Sequence, residues 1–146
     1  MDLSQSFAIS ASGLDAEKTR LHIISNNLAN VESTRTTEGG PYRRRDVIFR
    51  ATPTTRGSFE EALVSNIKNT YLGVQVEKIV VDERPFKLVF QPQHPDANAD
   101  GYVEYPNVNA LEEMVNMMSA LRSYEANVTA LNATKNMALK TLEIGR

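Results

Sequence analysis

The stretch NVNALEEMVNMMSALRSYEANVTALNATKNMALKTLEI, from Asn107 to Ile144, decides the fold. It contains neither Gly nor Pro, so nothing in it interrupts a helix. Fully helical, it would run about 57 Å at a 1.5 Å rise per residue. A compact sphere of 146 residues has a diameter of about 38 Å, so the sequence predicts an elongated molecule. Pro106 precedes the stretch, Asn109 is a candidate N-cap with Glu112 three residues on, and Gly145 stands where a C-terminal cap belongs. Met114, Met117, Leu121, Tyr124, Val128, Leu131 and Leu142, with Ala110 and Ala138, recur at alternating spacings of four and three; Lys135 is the one break. Residues so spaced share one helix face. Burying the six large aliphatic and Met side chains among them is worth about 9–18 kcal/mol as an upper bound, comparable with the whole stability of a domain, about 5–15 kcal/mol. Leu111, Val115 and Met118 form a second line beside the first, so the apolar face is wider than one partner helix covers. Either it faces the core of a small bundle, or it packs on its own chain and on other subunits.

Working outward, the N-terminal arm carries a similar stripe: Leu3, Phe7, Leu14, Leu21, Ile24, Leu28 and Val31, with gaps at Ser10 and Glu17. Gly13 marks a kink or a close contact with a neighbouring backbone. All 6 Pro lie between 41 and 106. There, 47–51, 74–81 and 86–90 are rich in β-branched and aromatic residues and read as strands, while 58–64 reads as a helical turn or two. The fold expected is α+β and mainly α. Helical arms lie at 1–34 and 107–146, and a small β-rich middle lies at 35–106.

Composition narrows function. With 16 Lys+Arg against 18 Asp+Glu the net charge is -2, which argues against a general nucleic-acid binder. No apolar run is long enough to span a bilayer, and the N-terminus lacks the pattern of a cleaved secretory signal. Without Cys there are no disulfides, thiolate metal sites or cysteine nucleophiles.

Asp96, Asn98, Asp100 and Gly101 match the opening of a calcium loop, but Asn107 stands where a bidentate Glu is needed, so an Asx-rich turn is expected instead. His22 and His94 have no companions at ligand spacing. Arg35, Arg43, Arg44, Arg45, Arg50 and Arg56 give residues 35–56 a net charge of +4 against -6 elsewhere. Arg43, Arg44 and Arg45 are candidate inter-subunit charge contacts. No nucleophile, phosphate-loop or paired-carboxylate signature is present, so no enzyme, cofactor or metal is expected.

Ser25-Asn26-Asn27-Leu28-Ala29-Asn30, followed by Ser33-Thr34, resembles the N-terminal signature of the bacterial flagellar axial proteins, the rod, hook and hook-associated subunits. Gly39-Gly40-Pro41-Tyr42-Arg43-Arg44, His94-Pro95-Asp96-Ala97, Tyr105-Pro106-Asn107-Val108 and Arg122-Ser123-Tyr124-Glu125-Ala126-Asn127 resemble the short rod branch of that family. The resemblance implies a structural subunit of the periplasmic rod, which transmits torque for motility. It implies that the arms 1–34 and 107–146 pair as a coiled coil, with partners among copies of itself and other rod proteins, and uncleaved export through the flagellar type III apparatus. Neither nucleic acid nor stable membrane insertion is implied. The expected assembly residues are Phe7, Leu14, Leu21, Ile24, Leu28 and Val31 with the amides Asn26, Asn27 and Asn30, and on the other arm Met114, Met117, Leu121, Tyr124, Val128, Leu131 and Leu142. The rival reading is a cytoplasmic coiled-coil adaptor or regulator whose arginines meet an acidic partner.

Overall fold

The computed structural model describes residues 3–53 and 72–144. The expectations at 58–64, Arg56 and Gly145 lie outside them. Helix α1 spans Leu3–Ala29 and helix α2 spans Ala110–Ile144. Between them lie β1 (Arg45–Pro53), β2 (Leu72–Val81), β3 (Lys87–Phe90) and β4 (Tyr102–Tyr105). The fold is α+β, with a helix toward each end and small antiparallel sheets.

The helices follow their local chemistry. Asn109 caps α2 as its spacing suggested: Oδ1 accepts the Leu111 amide at 3.1 Å while its carbonyl takes the Glu113 amide. Glu112 and Glu113 occupy the first turn, where the helix dipole favours negative charge. At the end of α1, the Asn30 side chain donates to the Asn26 carbonyl and accepts from Ser33, closing the helix with an amide in place of a glycine.

β1 pairs with β2, and β3 with β4. In the second pair Lys87 faces Tyr105, Val89 faces Val103 and Phe90 faces Tyr102. The turn entering β4 is the expected Asx turn, with Asn98 Oδ1 accepting from the Asp100 and Tyr102 amides. Gly101 has φ +81°, and a Cβ there would sit 2.9 Å from the Phe90 ring, so glycine alone fits.

Contacts group the described residues into two compact units. One draws on residues 3–19, 49–53, 72–77 and 121–144; the other on 20–48 and 78–120. In the first unit Ser10, Ala16, Gly73 and Thr134 are buried, and the Val74 amide of β2 donates to Ser12 Oγ at 3.1 Å. At Gly13 the close neighbour is a side chain and not a backbone: a Cβ there would lie 3.0 Å from Asn127 Nδ2. In the second unit Ile23, Ile24, Val103, Pro106 and Ala120 are buried together with three polar residues, Asn27, Arg44 and Glu113.

A candidate assembly surface and a buried polar junction

Helix α2 shows two opposed lines of residues. Glu113, Ala120 and Thr134 are buried and Asn127 is half-buried, at intervals of seven residues. That interval returns to nearly the same point on a helix every two turns. No large apolar side chain stands on this line: three of its members are polar and the fourth is alanine. On the other side Leu111, Met114, Val115, Met118 and Leu121 remain exposed, with Leu111 74% and Val115 60% accessible. Farther along, Met137, Leu139, Leu142 and Ile144 are exposed as well. Scattered exposed leucines are ordinary on a protein surface, but five large apolar side chains in eleven residues form a patch.

The residues expected at an assembly interface divide between buried and exposed. On α1, Ile24 and Asn27 are buried, Phe7, Leu14, Leu21 and Leu28 are half-buried, and Asn26 is exposed; Asn30 and Val31 beyond its end are half-buried. On α2, Met117, Tyr124, Val128 and Leu131 are half-buried, whereas Met114, Leu121 and Leu142 are exposed. The spacing located one edge of the buried face. It missed the other edge, which is Glu113, Ala120, Asn127 and Thr134. The missed signal was their seven-residue interval, hidden because none is a large apolar residue.

The three neighbouring arginines have three different surroundings. Arg43 stacks its guanidinium 4.2 Å from the centre of the Phe86 ring, and Arg45 lies 5.9 Å over Tyr42. Arg44 is buried. Its Nε donates to Glu113 Oε1 at 2.8 Å, and Nη1 donates to Asp46 Oδ2 at 2.9 Å with Asp82 Oδ2 3.8 Å away. Glu113 is the bulkiest fully buried side chain among the described residues, and its Oε2 accepts from Asn27 Nδ2 at 2.9 Å. Burial by itself would lower the Arg44 pKa, but the hydrogen bonds to Asp46 and Glu113 outweigh it and hold the guanidinium more firmly charged.

Asn27 closes the junction. Nδ2 donates to the Arg45 carbonyl at 2.8 Å as well as to Glu113, while Oδ1 accepts the Arg45 amide and the Tyr42 hydroxyl, each at 3.0 Å. Because a backbone N–H only donates and a backbone carbonyl only accepts, Arg45 fixes which way the amide points. Burial pushes the Tyr42 pKa up, with Glu113 adding to the rise and the Arg45 guanidinium opposing it. The phenol thus keeps the proton it donates. Asn107 does for β1 what Asn27 does: Oδ1 accepts the Arg44 amide at 2.8 Å, and Nδ2 reaches the Asp82 and Arg84 carbonyls at 3.1 Å. Isolated buried charges are costly; here each is paired and hydrogen-bonded.

The calcium-loop residues are engaged otherwise. Asp96 binds Thr34 Oγ1 at 2.8 Å and pairs with Arg35. Among the described residues no acidic or histidine cluster is arranged to hold a metal ion, and no helix is long and apolar enough to cross a membrane.

Comparison with known proteins gives matches along the chain. A family profile described as flagella basal body rod protein matches residues 7–35, and one described as flagellar basal body rod FlgEFG protein C-terminal matches residues 99–144. The chain is 46% identical over 150 residues to the flagellar basal-body rod protein FlgC of Bacillus subtilis, covering all of both sequences. It is 44% identical to FlgC of Borreliella burgdorferi, covering 99% of this chain and 98% of the relative. It is 40% identical to FlgC of Salmonella typhimurium, again over the full length of both.

Proposed function

The chain belongs to the FlgC family of flagellar basal-body rod proteins, and from that premise we propose that it is a structural subunit of the proximal rod. It joins copies of itself and other rod proteins into the shaft that carries torque. The observation that supports this reading most is the outward apolar line of α2, which the chain's own seam leaves uncovered. Contacts of one subunit with the next that do not close on themselves generate helical tubes, the geometry a shaft requires. The arms 1–34 and 107–146 complete a coiled-coil inner layer, and the middle at 35–106 decorates it. Arg43 and Arg45, both exposed, take the inter-subunit charge contacts, whereas Arg44 makes its pairs within the chain. The subunit is exported uncleaved through the flagellar type III apparatus and works without cofactor or catalysis in the periplasmic part of the basal body. The adaptor reading loses its ground once family membership is given.

The test is a charge on the outward face. Leu121→Asp is expected to abolish swimming while the purified chain keeps the circular dichroism of the parent. Normal swimming would refute the proposal. Leu28→Asp is the matching variant at the end of α1.

A further inference from the structure

We infer that Asn27, Arg44 and Glu113 form a latch that makes three segments order in one step: the end of α1, the start of β1 and the start of α2. Each segment contributes a polar group that is tolerable in the interior only when the other two are present. Glu113 from α2 needs Arg44 for its charge and Asn27 for its second oxygen. Asn27 from α1 needs the Arg45 backbone of β1 for half of its hydrogen bonds. Arg44 needs Glu113, because Asp46 is itself half in water and Asp82 is 3.8 Å away. With any one segment missing, a buried charge or amide loses its partners, and that desolvation penalty opposes a partly formed unit. All these groups lie in one compact unit, Arg20–Ile48 with Lys78–Ala120.

The latch has a consequence that rests on the proposed rod function. Leu111, Met114, Val115 and Met118 occupy the same turns of α2 as Glu113, so the apolar face takes shape when the latch closes. An incomplete chain then presents no ordered surface for a neighbour to bind.

The test uses the purified full-length chain, with amide hydrogen exchange resolved by segment. Glu113→Gln keeps the shape of the side chain but cannot satisfy both partners. Whichever way its amide points, an N–H meets either the Arg44 Nε–H or the Asn27 amide N–H. Exchange is expected to rise by at least about ten-fold, the scale of one hydrogen bond to a buried charge, and by the same factor in 20–29, 44–48 and 110–120. A rise confined to 110–120 would overturn the latch, as would parent protection that differs among the three segments. Tyr42→Phe is the gentler variant should Glu113→Gln not fold. It removes one of the four bonds to Asn27 and is expected to raise exchange in the same three segments by a smaller common factor; a rise limited to 40–46 overturns the proposal. Swimming separates the functional clause. Concerted exchange in Glu113→Gln with normal swimming removes the assembly consequence, whereas failure of the rod reading itself shows as normal swimming in Leu121→Asp.

Discussion

The two sides of α2 invert the usual arrangement of a globular helix. Its buried line is Glu113, Ala120, Asn127 and Thr134; its exposed line is Leu111, Met114, Val115, Met118 and Leu121. Within the chain, Asn27 of α1 donates to Glu113 of α2, and Asn127 lies close against Gly13. The large apolar groups, which supply most of the energy of association, are directed outward. On the rod reading proposed above, that outward face is the one left for neighbouring subunits.

The difference is sharpest between two positions two residues apart on α2, Met118 and Ala120. Ala120→Leu forces a large side chain into a site with no exposed surface and is expected to destabilise by about 1–3 kcal/mol. Met118→Ser, on the outward line, is expected to stay within about 0.5 kcal/mol of the parent yet impair swimming. Urea melts of both, with a motility assay, check the pair. If Met118→Ser cost as much stability as Ala120→Leu, the two faces would not be distinct.

A smaller effect tests the close contact in the other unit. In an open helix Gly13→Ala would stabilise by about 1 kcal/mol, but here the new methyl meets the Asn127 side chain. The gain is expected to appear in an Asn127→Ala background and to be largely lost in the parent. A gain of equal size in both would mean Asn127 does not crowd Gly13.

The smallest effect concerns surface charge. Hydrogen bonds from Arg84 hold the Asp82 carboxyl below its usual range, and the Thr34 hydroxyl, then Arg35, do the same for Asp96. A lowered folded-state pKa contributes stability that is present above the unfolded value, about 3.9, and is lost as pH falls through the folded value. The melting temperature of Asp96→Asn is therefore expected to fall below the parent's at neutral pH and to converge with it in strong acid. A gap that persisted there would assign the effect to packing instead.

How much of this was legible in the sequence depends on what each feature is made of. Both helices could be read because Gly and Pro are so unevenly placed, and β1, β2 and β3 because β-branched residues cluster there. Strand β4 escaped: four residues between an Asx turn and Pro106 are too few to show alternation. The α2 stripe was read from its large apolar members, of which Met117, Tyr124, Val128 and Leu131 are half-buried and Met114 and Leu121 exposed, whereas the fully buried positions Glu113 and Ala120 stand one place before the exposed pair. Weighting by apolar size passes over a buried Glu and Ala. Among the six arginines of residues 35–56 nothing in the local sequence distinguished Arg44, because Glu113, the buried carboxylate it pairs with, is distant along the chain. The amides of the Ser25–Asn30 word were legible as hydrogen-bonding groups, but not that Asn27 alone of the three is fully enclosed.

That enclosure has an outcome at the level of the codon. Both donor hydrogens and both acceptor positions of the Asn27 amide are engaged. Aspartate brings no donor, leucine brings neither kind of group, and glutamine carries its amide one methylene too far. In a saturation library selected for swimming, position 27 should return a single letter.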